Sequence, residues 1–185
     1  MPFTTPIART HLEHALTEEQ LRTTIIIRIA LMLGIVFFYS AVLLIYALPL
    51  HRRAGMLDQE TLTLLSMVHV VFAAGAVFVA FFLSQRILRK DLLEKACSGK
   101  TPEDAAQVLL SLHRASTIVM MAPLEGGAFF GGVICMLAVT NGILAEYPLY
   151  WLNALSGIVV VMVGMITFPT RERILARLEA AMMGD

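Results

Sequence analysis

The chain has 185 residues, 58% of them hydrophobic, with a mean hydropathy of +0.77. Soluble domains are usually about 45–50% apolar, so the composition argues against a water-soluble globule. The formal net charge is zero. That removes the overall basic character of a nucleic-acid binder, and no nucleic-acid partner is expected.

The excess apolar residues fall into four stretches, at about 25–48, 62–83, 117–139 and 149–168. A helix of about 20 residues crosses a hydrocarbon core of about 30 Å. The chain therefore reads as an all-α integral membrane protein, a four-helix bundle forming a single transmembrane domain over residues 1–185. The polar N-terminal segment and the length of the first apolar run predict no cleavable signal. Thr17 to Gln20 has the pattern of a capping box, opening a helix that continues through the first span. Arg28 enters that span about one turn in, close enough to its border to snorkel. Pro49 is expected to end the span, and Asp58 to cap the second helix.

The second span has no stop signal, and its pattern runs on from Arg86 to Lys95 before Ser98-Gly99-Lys100 breaks it. Thr101-Pro102-Glu103-Asp104 restarts a helix with an N-cap, a proline at the first helical position and two acids at the positive end of the dipole. The 84–116 connection is thus a helical loop leading into the third span. Asn141-Gly142 turns the chain, and Tyr147, Tyr150 and Trp151 suit an interfacial aromatic belt.

Twelve of the fourteen Lys and Arg lie before or at the start of the first span, in the 84–116 loop, or after the fourth span. Arg52 and Arg53 are the other two. Basic residues in short loops stay on the cytoplasmic side. Both termini and the 84–116 loop are therefore expected to be cytoplasmic, with the cell inner membrane as the location. Cys97 and Cys135 lie in different regions, so neither a disulfide nor a cysteine metal site is predicted.

The hairpins show a pseudo-repeat. Shifted by 92 residues, Ala30–Phe38 falls on Ala122–Phe130 with four of nine positions identical. Shifted by 87, Phe81 falls on Phe168, and Arg86-Ile87-Leu88 on Arg173-Ile174-Leu175. The alignment puts Leu33 opposite Glu125.

Glu125 lies well inside the third span. An ionisable side chain there is costly unless paired, solvated or neutral, and marks a functional site by default. Pro123 precedes it and removes one helical hydrogen bond. Gly126, Gly127, Gly131 and Gly132 follow, and Gly127-x-x-x-Gly131 is a small-xxx-small pattern for close helix approach. Glu125 is therefore expected at the edge of a tight helix contact, either as a structural hydrogen-bonding acid or as an ion-binding group. His69 is the other titratable group inside a span. It is expected further out than Glu125, hydrogen-bonded, with Asn153 and Ser156 on the fourth span within possible reach. No second histidine is placed to share a haem, so no cofactor and no metal are predicted.

Met121–Phe130 resembles the carboxylate helix of rotary ATPase proteolipids. The resemblance implies a Glu, here Glu125, that carries a proton or sodium ion. In vacuolar-type members one hairpin has lost its carboxylate, as at Leu33. This chain departs from the family in placing both the Glu and the Gly-rich motif on the first helix of a hairpin.

The sequence contains no phosphate-binding loop and no catalytic constellation, so no enzyme is expected. The leading expectation is a non-catalytic membrane subunit or assembly partner, touching lipid and other membrane subunits or copies of itself. The alternative is a proton- or cation-binding membrane protein using Glu125.

Overall fold

The computed structural model describes residues 9–48 and 57–183. The expected stop at Pro49 and most of the loop that follows lie outside that range. The described residues form eight α-helices and one 3-10 segment, with no strand. In chain order these are α1 (Arg9–Ala15), α2 (Glu18–Ala47), α3 (Gln59–Ile87), α4 (Lys90–Cys97), α5 (Pro102–Thr140), α6 (Ile143–Glu146), the 3-10 segment Pro148–Ala154, α7 (Leu155–Ile166) and α8 (Arg171–Met183). Four helical stretches are long and apolar enough to cross a membrane: α2, α3, α5, and the 3-10 segment with α7, the last covering Pro148–Ile166.

Local chemistry accounts for the helix starts. The Gln20 amide donates to Thr17 Oγ1 at 3.3 Å. The reciprocal half of the capping box is not made, since Gln20 Oε1 is buried without a partner among the described residues. The Thr61 amide donates to Asp58 Oδ1 at 2.8 Å, capping α3. The Asp104 amide donates to Thr101 Oγ1 at 3.2 Å, and that hydroxyl donates to Asp104 Oδ2 at 2.9 Å. From this start α5 runs 39 residues without interruption, through Pro123. After α5 the chain reverses at Gly142, whose φ of 73° is left-handed and suits glycine.

The chain divides into two compact units. The first comprises residues 1–28, 81–120 and 168–185. Its core joins Leu12 and Leu16 to Leu93, Leu109, Leu175 and Leu178, so α1, α4, the start of α5 and α8 each give one apolar stripe to a shared interior. This core explains a departure from the sequence reading. The second apolar helix does not continue to Lys95 but ends at Ile87, and Arg89 is extended at φ −66°, ψ 139°. The break lets α4 bury Leu93 and Cys97 among the leucines, where a side chain of that size gains about 1.5–3 kcal/mol by leaving water. Burial among these apolar side chains raises the pKa of the Cys97 thiol.

The first unit also buries one cationic side chain, with a second half-buried beside it. Arg28 is 1% exposed rather than snorkelled, and Arg177 lies near enough for the two charges to repel. Desolvation lowers the pKa of Arg177. At its surface, Arg9 bonds Glu13 and Glu172, both at 2.8 Å. Exposed pairs of this kind contribute little to stability.

The second unit comprises residues 29–80 and 121–167. On its first two apolar helices the buried positions are Ile35 and Val42, then Leu62, His69, Ala76 and Ala80, and all but the last recur at a seven-residue spacing. That period keeps one seam of a helix against its neighbour. The remaining faces of α2 and α3 are apolar and exposed, as at Phe37, Val71 and Phe78. Such all-round apolarity belongs to a helix covered on all sides, by lipid or by further protein.

Leu175 is 1% exposed at the centre of the first unit. Leu175→Ala should destabilise that unit by about 2–5 kcal/mol. Hydrogen exchange should show the loss of protection across α8 and α4.

Candidate functional site

The site is built on α5 of the second unit, where four glycines in seven residues leave bare helix on more than one side. Gly127 and Gly131 are one turn apart and share a face. A Cβ on Gly127 would lie 3.7 Å from Ala73 Cα and 3.8 Å from Ala76 Cβ, so α3 meets it in ordinary contact through small residues. At Gly131 there is no such room. A Cβ there would collide with the Asn153 carbonyl, and would lie 2.7 Å from Ser156 Oγ and 2.8 Å from His69 Cε1. Gly132 faces α2, where a Cβ would come within 2.5 Å of the Phe38 ring. Gly126 is exposed, with no side chain close enough to touch a Cβ.

The face at Gly131 carries a buried polar network. His69 and Asn153 are 4% and 6% exposed. His69 Nδ1 lies 2.9 Å from Asn153 Oδ1, and His69 Nε2 lies 3.1 Å from the Gly127 carbonyl oxygen. The Asn153 side-chain amide donates to Ser66 Oγ and to the Tyr150 carbonyl, each at 3.0 Å. Ser156 Oγ donates to the Asn153 carbonyl at 2.9 Å. Tyr39 on α2 donates to the Ala128 carbonyl at 2.9 Å. The Phe130 ring packs edge-on against the imidazole, centroids 5.6 Å apart. Each of these polar side chains has a partner, as burial requires. The network lines an apolar crevice of about 620 Å³ between α3 and the 3-10 segment with α7.

Glu125 belongs to a different surface. Two residues along a helix amount to a rotation of about 200°, so Glu125 points away from the face that Gly127 turns to His69. It is half-buried, and its Oε1 would lie 3.5 Å from a Cβ on Gly34 of α2. Ala122, about 60° round the helix from it, and Gly126, about 100° round, are exposed. No hydrogen bond or ion pair to the Glu125 carboxyl occurs among the described residues.

The structure thus brings His69, Asn153, Ser156, Gly127 and Gly131 together and leaves Glu125 and Gly126 apart from them. His69 sits at the level of Gly127 to Gly131, two to six residues further along α5 than Glu125. The sequence reading overlooked Ser66 and Thr63, and read Tyr150 only as part of an aromatic belt. Thr63 and Tyr150 share a hydrogen bond at 2.9 Å, and the Tyr150 hydroxyl donates to the Gln59 carbonyl at 3.2 Å. A signal for this seam was present, because Gln59, Thr63, Ser66 and His69 recur at spacings of four, three and three on one face of α3. Among the described residues, no three His, Cys, Asp or Glu side chains are grouped to hold a metal ion.

With this geometry described, comparison with known proteins adds no family. No protein-family model matches the chain, and no curated protein or solved structure matches it. The class of protein defined is an all-helical chain with four helices able to cross a membrane.

Gly131→Ala should destabilise the second unit by about 1–3 kcal/mol, because the Asn153 backbone or the His69 ring has to shift. Gly126→Ala should leave the single chain unchanged, as its Cβ meets open space. Thermal unfolding of the two variants in the same detergent checks the contrast.

Proposed function

We propose that this chain is a non-catalytic subunit or assembly partner of a larger membrane protein complex. It would be a four-helix integral membrane bundle of two pseudo-repeated hairpins, with both termini on the cytoplasmic side of the cell inner membrane. The observation that carries the reading is Glu125, half-exposed on an apolar helix beside the bare surface of Ala122 and Gly126. A carboxyl at that depth is costly without a partner. A glycine-and-alanine surface lets a further helix approach closely enough to supply one.

Charge supports the orientation. All twelve Lys and Arg outside the pair Arg52 and Arg53 belong to the first unit, as the positive-inside rule asks of the cytoplasmic side. Element order supports the repeat. In each half a long apolar helix is followed by a second apolar helix. A break after residue 87 in one half and 166 in the other then leads to an amphipathic helix, α4 or α8. Leu88 and Leu175, which the repeat aligns, are both buried. Gly34, the counterpart of Gly126, is the position that Glu125 approaches.

The alternative, proton or cation carriage by Glu125, rests on the same lack of a partner among the described residues. A homo-oligomer that placed a water path or polar group against Glu125 would serve it.

The test is native mass in mild detergent, for wild type and for Gly126→Leu. Wild type should run well above the 20.4 kDa of one chain. Gly126→Leu should weaken association at least about tenfold, or about 1.4 kcal/mol, while the single chain keeps its helix content. A monomeric wild type would refute the subunit reading. Glu125→Gln then separates the two roles. Retained assembly with unchanged ion flux fits a structural acid, and retained assembly with lost flux fits the carrier.

A further inference from the structure

The first unit gathers basic side chains from three helices. Arg28 on α2 is 1% exposed, and His113 on α5 is 6% exposed. Arg177 on α8 is half-buried. The two guanidinium groups lie near enough to repel, and His113 lies near enough to both for their charge to act on it. Among the described residues, no carboxylate charge acts on Arg177 or His113. A guanidinium keeps its charge inside a protein, and like charges gathered away from water are costly unless an anion joins them.

His113 gives a second, independent sign. Its Nδ1 is buried and has no hydrogen-bond partner among the described residues. Buried polar atoms in folded proteins ordinarily have one. A neutral imidazole can offer an N–H at that nitrogen to an incoming oxygen.

Arg177 also opens outward. It lines a hollow of about 870 Å³ between the end of α3, α4 and α8, together with Arg89, Lys90, Asp91 and Glu94. Asp91 is held by Arg89 at 3.2 Å. Glu94 forms no ion pair with Arg177.

We propose that Arg28, His113 and Arg177 form a binding site for a phosphate group, entered through the hollow beside α4 and α8. Guanidinium groups match phosphate oxygens with paired, charge-assisted hydrogen bonds. A tetrahedral phosphate can take donors arriving from three helices, whereas a planar carboxylate has two oxygens to offer. Free phosphate and the headgroup of an anionic phospholipid both present this group. The bound anion ties α2, α5 and α8 together and stabilises the first unit by mass action. Glu125 and the surface beside it belong to the other unit, so the site is separate from the proposed assembly contact.

The experiment follows hydrogen exchange across α8 in the full chain. One arm uses lipid-free protein in an uncharged detergent, with potassium phosphate against potassium chloride at equal ionic strength. The other uses nanodiscs of phosphatidylcholine with and without phosphatidylglycerol, in chloride. At least one arm should show exchange slowed about tenfold or more by the phosphate group. A gain with phosphate assigns a free anion, and a gain with phosphatidylglycerol alone assigns a lipid headgroup. Arg177→Gln should lose the gain. Lys100→Gln, which removes the same charge from an exposed turn, should keep it. No gain in either arm overturns the proposal, as does an equal gain in Arg177→Gln. Loss of the gain in both variants also overturns it, since general charge attraction then explains the effect. If Arg177→Gln does not fold, the wild-type comparison of phosphate with chloride and the Lys100→Gln control decide.

Discussion

The second unit depends on one close approach, that of the Gly131 backbone to the His69 ring and the Asn153 carbonyl. Where apolar helices cross a membrane they gain no hydrophobic drive toward one another, and packing and polar contacts would have to hold them. Glycine at 127 and 131 strips α5 of side chains over one turn, so α3 and the fourth apolar stretch come near enough for direct hydrogen bonds. With a side chain at 131, the imidazole could not reach the Gly127 carbonyl while Asn153 held its other nitrogen. The glycines thus admit the polar network, and the network fixes the register in which the glycines are useful.

The same helix carries two unlike surfaces. Gly127 and Gly131 are satisfied within the chain, whereas Ala122, Glu125 and Gly126 remain open, and the period of the helix separates them. Four glycines close together in the sequence therefore do not make one contact. Two receive α3 and the fourth stretch, one receives Phe38 of α2, and one is left bare. The first unit is stabilised differently. Leucines on short amphipathic helices build an interior of the kind found in soluble domains, and the same unit buries Arg28 with the half-buried Arg177 nearby.

Much of the fold could be read from the sequence because its signals are local. The capping residues Thr17, Asp58 and Thr101, the proline at 102 and the left-handed Gly142 act within a few residues of themselves, and the helices begin or turn at those places. The break after Ile87 could not be read locally. Arg86 to Lys95 is an unbroken helical pattern, and the reason to interrupt it is a leucine core assembled from α1, α5 and α8, far away in the chain. Arg28 shows the same limit, since its burial depends on what packs over it rather than on its place in the span.

By itself the sequence determined the number and approximate extent of the apolar helices, through run length and hydropathy. It also identified Glu125, His69 and the glycine pattern as unusual, because polar or bare positions are conspicuous in an apolar helix. Only the tertiary structure decided which of these meet. A helix turns about 100° per residue, so neighbours such as Glu125 and Gly127 point to opposite sides. The partners of each side chain, Asn153 for His69 and open surface for Gly126, come from segments brought together by folding.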